Sequence, residues 1–318
     1  MIRYLKEDDV KQLLTMAGAL EWTGRSLKDR ALGRAIDVPR ARIAMPAGIQ
    51  HLLQAASREL GLNGFKYYYT RPTGWCHFVH LIDTESGKLT AIIEAKWMSM
   101  VRTGAASGIA TQALALPDAS IVGQIGAGLQ GVGQLEAVCA VRGIRTARVF
   151  SRDAAKREAF CKTMAQKLGI EVVPVASGAD AVRGAHIVNV ITKSAAPVLR
   201  GEWLEPGQHI NAAGSNALSR QEIDLEAVQR CGLITVDSRE TARKECGDLL
   251  PAVERGIAHW ETLTEIGDVL AGLRPGRTAP GQITLYESHG MGVQDLYAGK
   301  HVLDEARRRN VGTDLPIG

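Results

Sequence analysis

The chain has 318 residues, of which 45% are apolar and 23% charged, and a formal net charge of +4. That is enough apolar material for a sizeable core and about two domains. The only basic run, Arg307–Arg309, reads as the solvated end of a late helix, so a nucleic-acid partner is excluded from the expected readings. Five cysteines, with no CxxC and no zinc-like pairing with histidine, predict reduced thiols and no metal. The charged start lacks a signal-peptide core, and no apolar run approaches the roughly 18 residues of a membrane span. The expectation is a soluble cytoplasmic protein with no membrane partner.

Taken in order, Asp8 to Leu20 carries Val10, Leu13, Leu14, Ala17 and Leu20 at helical spacing. Arg42 to Met45 alternates and is broken by Pro46-Ala47-Gly48. Gly64–Tyr69, Cys76–Ile82 and Thr90–Ile93 read as strands, with Thr84–Gly87 as a hairpin turn. The small residues from Met98 to Leu116 predict a closely packed helix. After Leu116-Pro117-Asp118 the pattern becomes alternating: strand Ser120–Ile125, helix Leu129–Val141, strand Ala147–Phe150, and helix Asp153–Leu168 with Asp153 as N-cap and Gly169 following it. Strands follow at Glu171–Val175, Ile187–Ile191, Gln208–Ala212 and Leu233–Val236, and a last helix at Val293–Arg309. Alternating β and α units predict an α/β fold with a doubly wound, mostly parallel sheet. The expected domains are 117–290 for that sheet and 1–116 plus 291–318 for an α+β unit, the last helix folding back onto the first part of the chain.

The segment Gly126-Ala127-Gly128-Leu129-Gln130-Gly131 follows a strand and opens a helix, the context in which GxGxxG binds a dinucleotide on a Rossmann sheet. Gly126 permits the tight turn, Gly128 admits the pyrophosphate, and Gly131 lets helix pack on strand. Free N–H groups and the helix dipole would hold the phosphates. The next strand ends at Ser151-Arg152, where an acid would bind the adenine ribose. A neutral and a cationic residue there favour NADP(H), with NAD(H) also open because Asp153 follows.

Several segments together resemble the ornithine cyclodeaminase/mu-crystallin family: Arg42-Ile-Ala-Met-Pro46, Gly64-Phe-Lys66, Val101-Arg102-Thr103-Gly-Ala, the glycine loop, Asn211-Ala-Ala-Gly214-Ser-Asn216 followed by Glu222-Ile-Asp224, and Gly247-Asp248-Leu249. The resemblance implies a homodimer in which 1–116 plus 291–318 is the substrate-binding and dimerisation domain. It also implies that Arg42 and Arg102 clamp a substrate carboxylate, with Lys66 beside the reacting nitrogen. Thr103, Thr192 and Ser215 join Ala127, Leu129, Gln130, Ser151 and Arg152 as cofactor-side candidates, and Asn216 is a candidate catalytic position. Two cationic neighbours are expected to lower the pKa of Lys66. In cyclodeaminases the position of Asn216 is an aspartate that engages the distal amine. An amide can neither take that proton nor balance its charge.

The expected function is therefore NAD(P)H-dependent reduction of a 2-imino acid to an L-amino acid. Cyclic ketimines such as Δ1-pyrroline-2-carboxylate and Δ1-piperideine-2-carboxylate are candidate substrates, as is acyclic iminosuccinate. A dicarboxylate would need a further cation, for which His51, Arg71 or His77 are candidates. The alternatives are a cyclodeaminase that releases ammonia with bound NAD and a non-catalytic binder of NADP and a small ligand. His51, His77, His80 and His289 form no clear metal set in the sequence. Asn216 is alternatively a cap for a helix starting near Ser219, and Glu245 and Asp248 read equally as helix caps. Tyr67, Tyr68, Tyr69 and Trp75 lie near the expected pocket, with Tyr68 on the opposite strand face from the other two tyrosines.

Overall fold

The computed structural model describes residues 1–71 and 74–316; the side chain of Trp75, one of the pocket aromatics expected from sequence, lies outside the described residues. The chain divides into two units, Met1–Arg102 with Gly290–Gly318, and Thr103–His289. The sequence boundary at 116/117 is thus moved back into the helix α3 (Lys96–Leu114). The cause is close packing of its second half. A Cβ on Gly104 would stand 2.2 Å from the Gly133 carbonyl oxygen, so this part of the helix lies against α4 (Leu129–Val141). Arg142 then closes the end of α3, donating to the carbonyls of Thr111, Gln112, Ala115 and Leu116 at 2.9–3.1 Å.

The first unit is built on a seven-stranded sheet. Its strands are β1 (Ile2–Leu5), β2 (Ala35–Met45), β3 (Gly48–Ser57), β4 (Leu62–Arg71), β5 (Gly74–Asp83), β6 (Leu89–Glu94) and β15 (Thr313–Leu315), in the order β15-β1-β6-β5-β4-β3-β2. Only β1 and β6 run parallel. The single helix expected from Asp8 to Leu20 is two, α1 (Glu7–Leu13) and α2 (Met16–Ala31), because Thr15 turns extended and its hydroxyl accepts from Gly18 N at 3.2 Å. β2 begins earlier than the alternation suggests, and β3 has no counterpart among the expected elements. Pro39 is tolerated in β2 because that strand is the sheet edge. The helix Gly292–Arg309 lies across β3 and β4. Gly64 and Gly292 allow this approach, since a Cβ would meet Leu296 at 3.1 Å and the Gln54 carbonyl oxygen at 2.9 Å, respectively.

The second unit holds eight parallel strands: β7 (Ile121–Ile125), β8 (Thr146–Phe150), β9 (Glu171–Pro174), β10 (Ile187–Val190), β11 (His209–Ala212), β12 (Leu233–Val236), β13 (Thr264–Glu265) and β14 (Thr284–Glu287). Their order is β13-β12-β14-β11-β10-β7-β8-β9, so the winding reverses between β7 and β10, where doubly wound sheets bind ligands. The helix α5 (Ala154–Leu168) starts and ends as the sequence predicts: Asp153 accepts from Lys156 N at 3.0 Å and Gly169 adopts φ 67°. Among the described residues, no helix is long and apolar enough to cross a membrane.

Candidate active site

In the first unit, β4 alternates so that Lys66 and Tyr68 face inward while Tyr67 and Tyr69 lie on the other face. Lys66 is 3% exposed, and its ammonium lies 3.0 and 2.9 Å from the two carboxylate oxygens of Asp295. Arg102 donates from Nε to Asp295 Oδ1 at 2.9 Å and from Nη1 to Gln294 Oε1 at 2.8 Å. Gly290 makes room for this guanidinium, because a Cβ there would stand 2.8 Å from Nη1. Asp295 is therefore a buried hub that fixes both cations. The sequence reading passed over it. Its signal was an Asp on the apolar face of the last helix, four positions before the Gly299 that packs on β5.

Arg42, expected in the clamp, is exposed on β2 opposite His51. Arg40, two residues earlier, is buried, with its guanidinium 5.9 Å from the Tyr68 ring centroid, and its charge bears directly on Lys66. The strand irregularity between Val38 and Ala41 separates the fates of these two arginines. Lys66 and Arg102 share one carboxylate while the Arg40 charge bears on Lys66, a cluster in which basic groups outnumber the acid. The Lys66 pKa is pushed down to about 7, chiefly by burial and then by the Arg102 charge, with Asp295 opposing both. The sequence expectation of a fall is met, but burial rather than like charge leads it.

His51 stacks on Tyr68 with centroids 4.1 Å apart, and His77 Nδ1 lies 3.4 Å from the Ser99 hydroxyl. Burial first, then the nearby cations, pushes both histidines down to about 3, so they are neutral at physiological pH. Neither supplies the extra charge a dicarboxylate would need, and Arg71 is exposed at the end of β4.

In the second unit the glycine loop has the geometry its residues predict. Gly126 has φ 122°, and a Cβ would stand 2.2 Å from the Ile191 carbonyl oxygen. A Cβ on Gly131 would meet the Gly126 carbonyl oxygen at 2.8 Å, whereas Gly128, the N-cap of α4, faces open space. Ala127, Leu129 and Gln130 are at least partly exposed around it, and Gln130 Oε1 is a buried acceptor with no hydrogen-bond partner. An open cradle at the N-terminus of a helix, with one unused acceptor, fits a dinucleotide pyrophosphate and its neighbouring hydroxyls.

Beneath the loop runs a buried amide ladder that sequence reading missed. Gln124 donates to the carbonyls of Gly126 and Gly131 at 3.0 and 3.2 Å, and the chain continues through Asn189 to Asn211 at 3.4 and 3.0 Å. These three residues sit in register on β7, β10 and β11. Ser151 accepts from Arg157 at 2.7 Å through its carbonyl, and Arg152 is exposed. Asp153 is occupied as the cap of α5, so the acid that weakened the NADP reading has another task.

Thr103 accepts from Gln134 through its carbonyl at 3.4 Å. Thr192 opens the loop after β10, and its N–H donates to Glu222. Ser215 donates to the Arg220 carbonyl at 3.1 Å, and Asn216 Oδ1 lies 3.5 Å from Arg220 Nη1. No helix begins near Ser219, so Asn216 caps none; the next helix, Leu225–Arg230, is capped by Asp224. Asp248 is not a cap either, since its Oδ1 accepts from the N–H groups of Glu222 and Ile223. Burial raises Glu222 to about 7 and Asp248 to about 6. These two acids brace the loops after β10 and β11. Gly214 and Gly247 are needed beside them, as a Cβ would stand 2.3 Å from Glu222 and 2.0 Å from the Arg220 carbonyl oxygen.

A doubly wound parallel sheet with this loop, in a chain whose other unit carries a buried cation cluster, defines the class as a nicotinamide-dinucleotide-dependent oxidoreductase. The chain belongs to the ornithine cyclodeaminase/mu-crystallin family, whose model matches residues 3–310. It is similar to the structure of Thermococcus litoralis Δ1-pyrroline-2-carboxylate reductase in complex with NADH and L-proline, at 30% identity and TM-score 0.95, covering 99% of this chain and 100% of that one. A solved archaeal alanine dehydrogenase dimer with bound NAD matches at 29% identity and TM-score 0.94, covering 100% and 99%. A Bacillus cereus Δ1-pyrroline-2-carboxylate reductase is 34% identical over 74% of this chain and 72% of its own length.

Proposed function

We propose that the protein reduces 2-imino acids carrying a single carboxylate, of the Δ1-pyrroline-2-carboxylate and Δ1-piperideine-2-carboxylate class, to L-amino acids. The observation that carries this reading is the buried pair Lys66 and Arg102 held by Asp295, with the buried Arg40 charge bearing on Lys66. The reductase relatives, and the NADH and proline bound by the Thermococcus enzyme, support it. The dinucleotide, when bound, supplies the hydride. Arg102 and Arg40, with Arg42 at the strand edge, attract and orient the substrate carboxylate. Lys66, with a pKa near neutrality, gives the proton that the substrate nitrogen takes up as its C=N bond is reduced. Asp295 holds Lys66 at its post without itself touching substrate. The neutral state of His51 and His77 disfavours iminosuccinate.

Asn216 disfavours the cyclodeaminase reading. That chemistry needs an anion there, and Asn216 instead faces the Arg220 guanidinium. For the cofactor, Ser151, Arg152 and a capped Asp153 support preference for NADPH with NADH accepted; the similar structures bind NADH or NAD. A homodimer is supported by the exposed apolar side chains Ile36, Val38, Ile43 and Met45 on edge strand β2, and by the alanine dehydrogenase dimer. The deciding assay follows loss of dinucleotide absorbance with both cyclic imines, with pyruvate or oxaloacetate plus ammonia, and with ornithine alone. Oxidation with a cyclic imine is expected; ammonia release from ornithine without imine reduction would replace this reading by cyclodeamination.

A further inference from the structure

We propose that Cys246, Glu287 and His289 form a zinc site at the C-terminal end of β14, with the Asp248 charge close by. The thiol, carboxylate and imidazole ligand atoms all lie within 4.8 Å of one another. They come from three points that the fold holds firmly. Cys246 ends the helix Arg239–Glu245, with its N–H bonded to the Ala242 carbonyl at 2.8 Å. Glu287 closes β14 between β11 and β12. His289 follows two residues on, where its N–H donates to Asp237 at 2.8 Å; Asp237 also takes bonds from Tyr286 and Ser288.

The donor chemistry selects the metal. Zinc takes thiolate, imidazole and carboxylate in a tetrahedron with bonds of about 2.0–2.3 Å, whose edges of roughly 3.3–3.7 Å are reached by small side-chain rotations from this spacing. Magnesium and calcium prefer all-oxygen sites and would not recruit the thiol. A second observation points to a cation. Glu287 Oε1 and Asp248 Oδ2 are both buried, at 1% residue exposure each, and neither has a hydrogen-bond partner. The neighbouring charges that bear on Glu287 are those of Asp248, Glu222 and Asp237, all acidic. Buried carboxylates gathered in this way call for a metal ion or for protons.

Zinc binding breaks the Cys246 S–H bond and forms S–Zn. The thiol proton, and any proton on the two carboxyls, passes to solvent, and no electron moves. Its three protein donors come from a helix end and a strand end, so the ion would tie the helix Arg239–Glu245 to the end of β14 beside β11.

The test uses the full chain, freed of metal by chelation and then titrated with Zn²⁺ or Co²⁺. One equivalent of zinc should survive gel filtration and raise Tm. Cobalt should give a thiolate-to-metal charge-transfer band, absent in Cys246→Ser and retained in Cys231→Ser. If Cys246→Ser does not fold, Glu287→Gln serves instead and should weaken zinc retention at least about tenfold. Substoichiometric zinc with unchanged Tm, or bound cobalt without the thiolate band, would overturn the site and leave protonated carboxyls as its explanation. The site does not rest on the imine-reductase reading, and the dinucleotide assay on the same samples tests that reading separately.

Discussion

Replacing Asp295 by Asn removes one negative charge from between two buried cations while nearly keeping its shape. Asp295 is 1% exposed and bonds Lys66 and Arg102 at 2.9–3.0 Å. Leaving one partner of a buried pair uncompensated costs about 3–5 kcal/mol. Much of that can be relieved if Lys66 sheds its proton, so the visible loss should be on the order of 5–10 °C in Tm. The Lys66 pKa starts at about 7, with Asp295 the main group holding it up. Without that charge it should fall by roughly one pH unit or more. The sign follows from the proposed role of Lys66 as acid. In the wild type, imine reduction should decline as pH rises through about 7, as the ammonium is lost. In Asp295→Asn the decline should begin at lower pH. Activity at pH 8 should then drop about tenfold for each pH unit by which the limb moves, while the low-pH plateau is less affected. The assay is kcat/KM against pH in the reductive direction, paired with thermal unfolding. A pH limb that stays in place would show that Lys66 is not the titrating group. An unchanged Tm would show that Asp295 does not neutralise a buried pair.

Three further outcomes are expected. Gly126→Ala meets the Ile191 carbonyl at 2.2 Å and a φ of 122°, so it should lose both dinucleotide affinity and stability; Gly128→Ala meets no protein atom, so calorimetry should show weaker dinucleotide binding at unchanged Tm. Arg40→Ala should raise the imine KM by about 10–100-fold, the loss of a charge-assisted bond, and Arg42→Ala by less; equal effects would restore Arg42 to the clamp. Arg152→Ala should lower kcat/KM for NADPH more than for NADH, and an unchanged ratio would remove the case for a 2′-phosphate contact.

Much of the dinucleotide unit was legible in the chain because its signals are local. Strand, glycine turn and helix follow within about twenty residues, and Leu129–Val141, Leu233–Val236 and the Asp153 and Gly169 ends of α5 stand where turn and cap chemistry put them. The substrate-side unit was less legible. Thr15 interrupts a helical period that looks continuous, and β3 carries too little alternation to announce itself. Resemblance to the family brought Lys66 and Arg102 forward, and the structure seats both in one buried cluster.

What the sequence by itself determined is the fold class, the glycine loop and the absence of an acid at Asn216, since each is a property of residue type and short spacing. What only the tertiary structure decided is which charges meet. Asp295 lies 229 positions from Lys66 in the chain yet bonds it, and Arg40 rather than Arg42 is buried near the same lysine. Such pairings depend on strand register, a bulge and a returning helix. Burial then sets the charge state of Lys66, His51 and His77, and the degree of burial is written in none of these residues alone.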